Sequence, residues 1–292
     1  MIKNINVALI GNPNTGKTSI FNALTGLNQK VGNYPGITVE KKQGICKLDL
    51  VTKARILDLP GTYSLNASSM DESVVVELLL NKNDFDFPDV AIVVADVENL
   101  KQNLLLFSQI KDLLIPTILV INMSDQIKRK GIKLDIEKLE KKLDTKLILV
   151  STRLNSGIDE LKQTLLDYRS ISTFPLMDTR SIDKMYFESL NYAFPHQSLY
   201  KLWLVITQDV NFTPLKRHKV PDSSKFKTQP KSYLKKLQQK ETIKRYQIIN
   251  QILKETYQVN RDEATDLRVK LDNLLIHKFW GYIIFFLILL SI

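Results

Sequence analysis

Apolar runs with strand-like composition alternate with helix-like patterns through the first part of the chain. The strand-like runs cover residues 6–10, 43–50, 54–59, 90–95, 117–121 and 147–150. Helical periodicity falls between them, over residues 17–24, 71–80, 100–113, 135–143 and 158–169. This alternation predicts an α/β domain over residues 1–170, with a doubly wound, mostly parallel sheet and ligands at the carboxyl ends of its strands.

The alternation of strands and helices stops near residue 171. Helical patterns follow over residues 181–194, 198–205, 232–257 and 263–276. Residues 207–230 hold three prolines and many polar side chains, which predicts a long loop. We therefore expect a small all-α domain over residues 171–276.

Residues 11–18 read GNPNTGKT, directly after the first apolar run and before a helical pattern. This is the G-x-x-x-x-G-K-[ST] phosphate loop in its strand–loop–helix context, although a plain glycine-rich turn is the alternative. Its backbone N–H groups can face phosphates, Lys17 can reach the β- and γ-phosphates, and the Thr18 hydroxyl can ligate Mg²⁺. The loop predicts a P-loop nucleoside-triphosphate site that includes Gly11, Asn12, Pro13, Asn14, Thr15, Gly16, Lys17, Thr18 and Ser19.

The apolar run at residues 116–121 ends in the N-x-x-D pattern of Asn122 and Asp125. A carboxylate there can accept two hydrogen bonds from guanine, whereas adenine lacks the donor pair and would leave it unsatisfied at a cost of about 1–3 kcal/mol. Asn122 would hold the phosphate loop and the base-side loop together, and a strand-end turn is the alternative. The backbone after the next strand should cap the base. The predicted base-side residues are Asn122, Met123, Asp125, Ser151, Thr152 and Arg153.

Two intervening segments predict the hydrolysis machinery. Asp58 begins the sequence DLPG and can hold Mg²⁺ through water, while the Gly61 N–H can contact the γ-phosphate when that group is present. Residues 31–40 predict a loop whose single threonine, Thr38, can supply a second Mg²⁺ ligand; a surface residue entering a strand is the alternative. These segments add the following nucleotide-site residues: Gly36, Ile37, Thr38, Asp58, Pro60 and Gly61.

Position 62 is threonine, whereas Ras-like enzymes place there the glutamine that orients the attacking water. Hydrolysis should therefore be slow, or rely on backbone groups and an ion. Asn14 is a candidate ligand for a monovalent cation, and a turn-stabilising asparagine with a left-handed backbone is the alternative. We predict a catalytic set of Asn14, Lys17, Thr38 and Gly61.

Composition and charge refine the view of the C-terminal part. A chain of 292 residues with 44% hydrophobic and 25% charged residues is typical of globular proteins, and its single cysteine, Cys46, excludes an internal disulfide. We expect Cys46 to be a buried small hydrophobe in a strand. The net charge is +10, and residues 214–278 hold 16 basic and 7 acidic residues, so most of the excess charge lies there. Such a segment suits nucleic acid, an anionic membrane or a solvated helix face.

Residues 279–292, FWGYIIFFLILLSI, carry no charge. A bilayer span needs about 20 apolar residues, so we interpret residues 277–292 as the start of a first transmembrane helix. The basic residues just before the run favour a cytoplasmic location for what precedes it. The prediction is an inner-membrane protein with residues 1–276 on the cytoplasmic side.

These motifs together resemble the FeoB family of bacterial ferrous-iron transporters, in their N-terminal cytosolic part. The resemblance rests on GNPNTGKT, VGNYPGITVEKK, DLPGTYSL, NMSD, STR and DLRVKLDNLLIHKFWG. It implies a slow GTPase, a helical spacer that slows guanine-nucleotide release, and a polytopic permease for Fe²⁺ beyond this sequence. It also implies that Asn14 is a potassium ligand. Tyr34 stands where the family usually has tryptophan, and residues 207–230 look like an insertion.

The sequence thus predicts a GTP-binding, slowly hydrolysing domain that regulates Fe²⁺ uptake through loops at residues 28–42 and 58–72. Mg²⁺ and K⁺ are its expected cofactors, and GTP, GDP and its own permease domain its expected partners. A ribosome-assembly GTPase with a basic RNA-binding domain is the main alternative, but the chain has no G-x-x-G loop after residue 170 and ends in an apolar run. We therefore expect no nucleic-acid partner. A non-hydrolysing scaffold is a third interpretation, and the oligomeric state stays open, a homo-oligomer included.

Overall fold

The computed structural model describes residues 3–27, 29–34, 39–67, 69–207, 230–260, 264–265, 275 and 279–290. Its strands are β1 Lys3–Gly11, β2 Gln29–Asn33, β3 Glu40–Lys47, β4 Thr52–Asp58, β5 Val90–Asp96, β6 Thr117–Asn122, β7 Ile132–Leu134, β8 Lys146–Leu149 and β9 Tyr257–Val259. Its α-helices are α1 Lys17–Thr25, α2 Met70–Leu80, α3 Leu100–Lys111, α4 Asp125–Arg129, α5 Ile136–Leu143, α6 Ile158–Leu166, α7 Lys184–Ala193, α8 Leu199–Thr207, α9 Lys231–Thr256 and α10 Trp280–Leu290.

A seven-stranded sheet organises the first part of the chain, in the order β2-β3-β4-β1-β5-β6-β8. Strands β4, β1, β5, β6 and β8 are parallel, and β2 and β3 extend the sheet as an antiparallel edge. Every residue of β5 is buried, as expected for a parallel strand covered on both faces. Because β1 has β4 on one side and β5 on the other, the chain reverses its winding there and leaves a crevice at the carboxyl ends of the strands. The doubly wound, mostly parallel sheet is confirmed.

The sheet separates two apolar cores. Helices α1 and α6 cover one face, with Phe21 and Leu161 fully buried against the strands. Helices α2, α3 and α5 cover the other face, and α7, α8 and α9 continue the same core. Phe187 and Trp203 meet there edge to face, with ring centroids 5.4 Å apart. The helical part after residue 171 is therefore packed on the α3 side of the sheet.

Several boundaries differ from the sequence prediction. Residues 31–33 were expected in a loop but belong to β2, whose five residues are all exposed and pair antiparallel with β3. Because β2 is exposed on both faces, its sequence shows no alternation of apolar and polar residues. It forms a strand because its backbone pairs with β3. Strand β3 covers residues 40–47, a few residues earlier than the apolar pattern suggested. Cys46 is buried in it, as predicted.

Only part of what the sequence predicted after residue 206 lies among the described residues. Helix α9 confirms the pattern at residues 232–257. Most of residues 207–230 and 263–276 lie outside the described residues. Helix α10 has 11 residues. Within the described ranges, no helix combines the length and the apolar character needed to cross a membrane.

A buried lysine connects three segments around the end of α3. Lys111 is 1% exposed and donates hydrogen bonds to the backbone carbonyls of Asp144 and Ser172, the latter at 3.2 Å. Burial lowers the pKa of the Lys111 ammonium, while the nearby Asp144 carboxylate opposes that shift. Lys111 therefore holds the start of the helical part against α3 and the end of α5.

Replacing Lys111 by methionine should lower the free energy of unfolding by about 1–3 kcal/mol, because the Asp144 and Ser172 carbonyls lose their donor while the side-chain volume is kept. Urea unfolding followed by circular dichroism measures the loss. Lys236→Met, on an exposed position of α9, is the control and should change stability by less than about 0.5 kcal/mol. Equal unfolding midpoints for the two variants would contradict the connecting role of Lys111.

Candidate nucleotide-binding site

The phosphate loop connects β1 to α1 at the carboxyl edge of the sheet. Gly16 has a φ of 79° and precedes α1, whose first N–H groups receive no side-chain cap. Asn14 is also left-handed, with a φ of 67°. Inside the loop, the Thr15 hydroxyl donates to the Asn12 carbonyl at 2.9 Å. The uncapped helix N-terminus and the curled loop form a concave row of N–H groups suited to an anion.

The cationic and acidic residues of the site meet beside this loop. Lys17 forms an ion pair with Asp58 at the end of β4, and the two side chains are only 11% and 5% exposed. The Thr18 side chain, by contrast, is on the exposed side of α1. A lysine ammonium, a carboxylate and an accessible hydroxyl are thus grouped at the helix N-terminus.

Close packing joins the phosphate loop to β6. The Asn122 amide donates to the Thr15 carbonyl at 3.0 Å. A Cβ added to Gly16 would lie 2.2 Å from the Asn122 Nδ2, and one added to Gly11 would lie 2.7 Å from the Val94 carbonyl oxygen. Side chains at these two glycines are therefore excluded by contact, and at Gly16 by its backbone conformation as well.

The Asp125 carboxylate lies at the start of α4, just beyond β6. It is 11% exposed, accepts a hydrogen bond from the Ser151 hydroxyl at 2.8 Å and one from the Gln126 amide at 3.1 Å. The Arg153 guanidinium lies 3.8 Å from the same carboxylate and is largely exposed. Ser151 also exchanges two backbone hydrogen bonds with Ser156, each 3.1 Å long, which shapes the loop after β8.

The DLPG segment runs directly against the phosphate loop. The Thr62 N–H donates to the Gly11 carbonyl at 3.2 Å, and a Cβ on Gly61 would lie 3.1 Å from the Pro13 ring. The Thr62 side chain is fully buried and its hydroxyl donates to the Ser64 carbonyl at 2.8 Å. Thr62 therefore turns its hydroxyl into the protein.

Two residues that the sequence analysis missed hold the segment after DLPG. Glu72, on α2, lies 3.2 Å from the Thr62 hydroxyl. Gln109, on α3, is fully buried and accepts a hydrogen bond from the Leu65 N–H at 2.8 Å. A polar residue inside the apolar pattern LLLFSQI was the only available signal for Gln109.

Tyr34 ends the described part of the first loop. Its phenol is buried, and its hydroxyl has no hydrogen-bond partner among the described residues. Burial, with Asp86 and Asp58 nearby, raises the pKa of Tyr34, so its phenol stays neutral. The predicted residues Gly36, Ile37 and Thr38 lie outside the described residues.

The fold thus gathers the described residues that the sequence predicted for the nucleotide at one edge of the sheet. They follow the carboxyl ends of β1, β4, β6 and β8. They are Gly11, Asn12, Pro13, Asn14, Thr15, Gly16, Lys17, Thr18, Ser19, Asp58, Pro60, Gly61, Asn122, Met123, Asp125, Ser151, Thr152 and Arg153.

Comparison with known families identifies the family of the chain. A family model, FeoB_N, described as ferrous iron transport protein B, matches residues 5–165. The chain belongs to this family. It is therefore a GTPase domain of the FeoB type, and its fold is that of FeoB cytosolic domains.

Relatives match well beyond the residues that the family model covers. The Fe(2+) transporter FeoB of Leptospira biflexa is 34% identical over 301 residues, which cover 99% of this chain and 43% of that protein. The cytosolic domain of T. maritima FeoB in its GMPPNP form has a TM-score of 0.74 and 29% identity, covering 88% of this chain and 100% of that one. The cytosolic domain of L. pneumophila FeoB has a TM-score of 0.72 and 32% identity, covering 86% and 99%. The chain thus spans less than half the length of the L. biflexa relative.

Gly16→Ala should abolish tight nucleotide binding, because the added methyl group would strike the Asn122 amide and alanine disfavours the left-handed backbone. Gly26→Ala is the matched control, since Gly26 also has a positive φ, 61°, but has no atom within 4 Å of the added Cβ. Fluorescence titration with N-methylanthraniloyl GDP (mant-GDP) measures both affinities. If both variants bind equally well, the packing of Gly16 on Asn122 is not needed for the site.

Proposed function

We propose that this chain binds GTP and GDP at the carboxyl edge of its sheet and hydrolyses GTP slowly. One observation carries the guanine assignment: the shielded Asp125 carboxylate follows the same strand end as Asn122, and Asn122 bonds to the phosphate loop. One short motif therefore joins a base-recognising acid to the phosphate-binding backbone. Guanine supplies the two donors that a buried carboxylate needs, and adenine does not.

The charged residues of the site suit a magnesium-bound triphosphate. Lys17 is already beside the phosphate loop, and phosphate oxygens would compete with Asp58 for its ammonium. Thr18, Asp58 and Thr38 are the proposed Mg²⁺ ligands, directly or through water, because hydroxyl and carboxylate oxygens are the donors that Mg²⁺ prefers. The bound metal would offset the charge of the phosphates.

Asn14 is the proposed ligand of a potassium ion. Its side chain is exposed in the phosphate loop, so its carbonyl oxygen can be directed toward a bound ion. A cation there would supply positive charge of the kind that an arginine finger supplies in other GTPases. The catalytic set is Asn14, Lys17, Thr38 and Gly61.

Slow hydrolysis is the expected consequence of the buried Thr62 side chain. Its hydroxyl is engaged with the Ser64 carbonyl and lies beside Glu72. The residue after the DLPG glycine therefore offers no side chain to orient a water molecule. Backbone groups such as the Gly61 N–H are left to place the attacking water against the γ-phosphate.

A buried polar network supports a regulatory role, in which nucleotide-dependent movement of the DLPG segment reaches the helical part. It begins where the Leu65 N–H donates to Gln109 at 2.8 Å. The Gln109 amide faces Glu241 on α9 at 3.5 Å, and Glu241 accepts hydrogen bonds from Arg245 at 2.8 Å and from Trp203 at 2.8 Å. A shift of Leu65 would therefore disturb α8 and α9.

The network ends at the junction between the α/β part and the helices. Arg245 donates to the Asp112 carboxylate at 2.7 Å, and both side chains are completely buried. Asp112 in turn accepts from the Leu176 N–H at 2.7 Å. Breaking a buried ion pair costs several kcal/mol, roughly 3–5, so these residues should move together. Residues 171–276 are proposed as the helical spacer domain that responds to the nucleotide, and residues 1–170 as the G domain.

The whole protein is proposed to carry Fe²⁺ across the inner membrane, with this chain as its cytoplasmic regulator. The basis is the family membership, together with relatives that are named Fe(2+) transporters and are longer than this chain. Residues 1–276 would lie on the cytoplasmic side, and residues 277–292 would begin the first transmembrane helix of a permease domain. Large apolar side chains such as Phe286 and Leu290 are exposed on α10, which supports a lipid or protein environment for that segment.

Guanine specificity tests the proposal most directly. GTP and GDP should compete for mant-GDP binding far better than ATP or ADP, because adenine offers the Asp125 carboxylate no donor pair like that of guanine. Asp125→Asn should shift the preference toward xanthine nucleotides, whose ring presents an acceptor where guanine has its amine. The exposed Asp159→Asn is the control and should keep the guanine preference. Equal competition by ATP and GTP would overturn the assignment.

Potassium dependence tests the role of Asn14. Hydrolysis, measured as phosphate release in a single turnover, should be faster in KCl than in NaCl because the smaller ion fits the loop poorly. Asn14→Ala should remove the difference while leaving GDP affinity largely intact. Identical rates of the unaltered protein in the two salts would contradict the ion-binding role and leave Asn14 as a turn-stabilising residue.

A further inference from the structure

A two-stranded sheet, separate from the main one, connects the base-side segment to the far end of the helical part. It pairs β7 with β9 in antiparallel register, with Lys133 opposite Gln258. The Asn260 N–H donates to the Gly131 carbonyl at 2.8 Å and extends the pairing at one end. At the other end of β7, the Asp135 N–H donates to the carbonyl of Thr256, the last residue of α9, at 2.9 Å.

The connection from β7 back to Asp125 is short and hydrogen-bonded. Strand β7 follows α4, and Asp125 is the first residue of α4. Within this segment the Gln126 N–H donates to the Met123 carbonyl at 2.8 Å, and the Lys130 N–H to the Gln126 carbonyl at 2.8 Å. A displacement of β7 is therefore transmitted to the Asp125 carboxylate, since no loose loop lies between them.

Gly131 makes the closest contact of this connection. Its φ is 66°, and a Cβ added there would lie 2.0 Å from the Asn260 carbonyl oxygen and 3.1 Å from the Ala264 nitrogen. The chain that leaves β9 is thus pressed against the residue that precedes β7. Only glycine allows this approach.

Ion pairs beside the two-stranded sheet contribute less to this connection than the backbone hydrogen bonds do. Glu255 lies 3.0 Å from Lys142 and 3.1 Å from Lys138, and these attractions lower the pKa of Glu255. All three side chains are substantially exposed, and exposed pairs contribute weakly to stability. The backbone pairing of β7 with β9 therefore dominates the connection.

We propose that the β7–β9 pairing is a nucleotide-retention clip, which keeps Asp125 on the guanine base for as long as the two strands stay paired. Separation of β9 from β7 lets the Asp125 segment shift and speeds the release of GDP. The coupling is reciprocal, so bound nucleotide stabilises the pairing. This inference rests on the proposed recognition of guanine by Asp125.

A reversible crosslink across the clip tests the proposal in the full chain. Lys133→Cys with Gln258→Cys places two thiols on directly opposite residues, whose Cα atoms are about 4.5–5.5 Å apart in antiparallel pairs and within disulfide range. The native Cys46 is buried and does not compete. After oxidation, the rate of mant-GDP release should fall at least about fivefold, the lower range of coupling between sites, and should recover on reduction.

A matched crosslink and a loosening substitution complete the experiment. Lys47→Cys with Lys53→Cys joins opposite residues of β3 and β4, and its oxidation should leave the release rate unchanged. Gly131→Ala should act in the opposite direction to the clip crosslink and speed release at least about fivefold. Gly26→Ala, with its positive φ and open surroundings, should release mant-GDP at the original rate.

The outcomes separate the clip from the function on which it rests. Equal release rates in the oxidised and reduced clip variant, in a protein that holds mant-GDP tightly, would overturn the clip and leave the guanine site intact. Faster release after oxidation would also overturn it. Failure of the unaltered protein to prefer GDP over ADP would overturn the guanine assignment, and the clip with it.

Discussion

The hydrogen bond from the Asn122 amide to the Thr15 carbonyl is the contact on which the site depends. It joins the loop after β1 to the end of β6, although the two are separated by more than 100 residues of chain. The contact requires a glycine at position 16, because the amide nitrogen occupies the space that any side chain would need. The phosphate loop and the Asp125 segment are thereby held side by side, as the proposed nucleotide site requires.

Buried polar groups then decide how this frame communicates with the rest of the molecule. Gln109, Glu241, Arg245 and Asp112 are almost completely shielded from water. Such groups are costly to bury unless they bond to each other, so the network favours the position of the helical part in which these four side chains meet. The same requirement makes the docking sensitive to the Leu65 N–H, which is the point where the DLPG segment enters the network.

The β7–β9 pairing offers a second route between the nucleotide and the helical part. The polar network contacts the chain after the DLPG segment, whereas the β7–β9 pairing is connected to the Asp125 segment. The two connections reach different parts of α9, with Glu241 and Arg245 near its middle and Thr256 at its last residue. In the proposed function, α9 is therefore connected separately to the DLPG segment and to the Asp125 segment.

The sequence by itself determined the parts that local chemistry specifies. The phosphate loop, the DLPG segment and the N-x-x-D pattern each follow an apolar run, and the carboxyl ends of parallel strands share one edge, so their meeting was predictable. Strands and helices with strong periodicity were correct in type, and α9 was correct almost to its ends. Local patterns also identified the family to which the chain belongs.

Only the tertiary structure decided what depends on contacts between distant residues. Strand β2 is exposed at every position and exists because β3 pairs with it, and β7 and β9 are too short to show any periodicity. The roles of Gln109 and Arg245 depend on partners far away in the chain. The neighbouring sequence therefore did not indicate what these two side chains contact. A motif can be recognised from its own residues, whereas the burial of a charge is explained only when the fold supplies its partner.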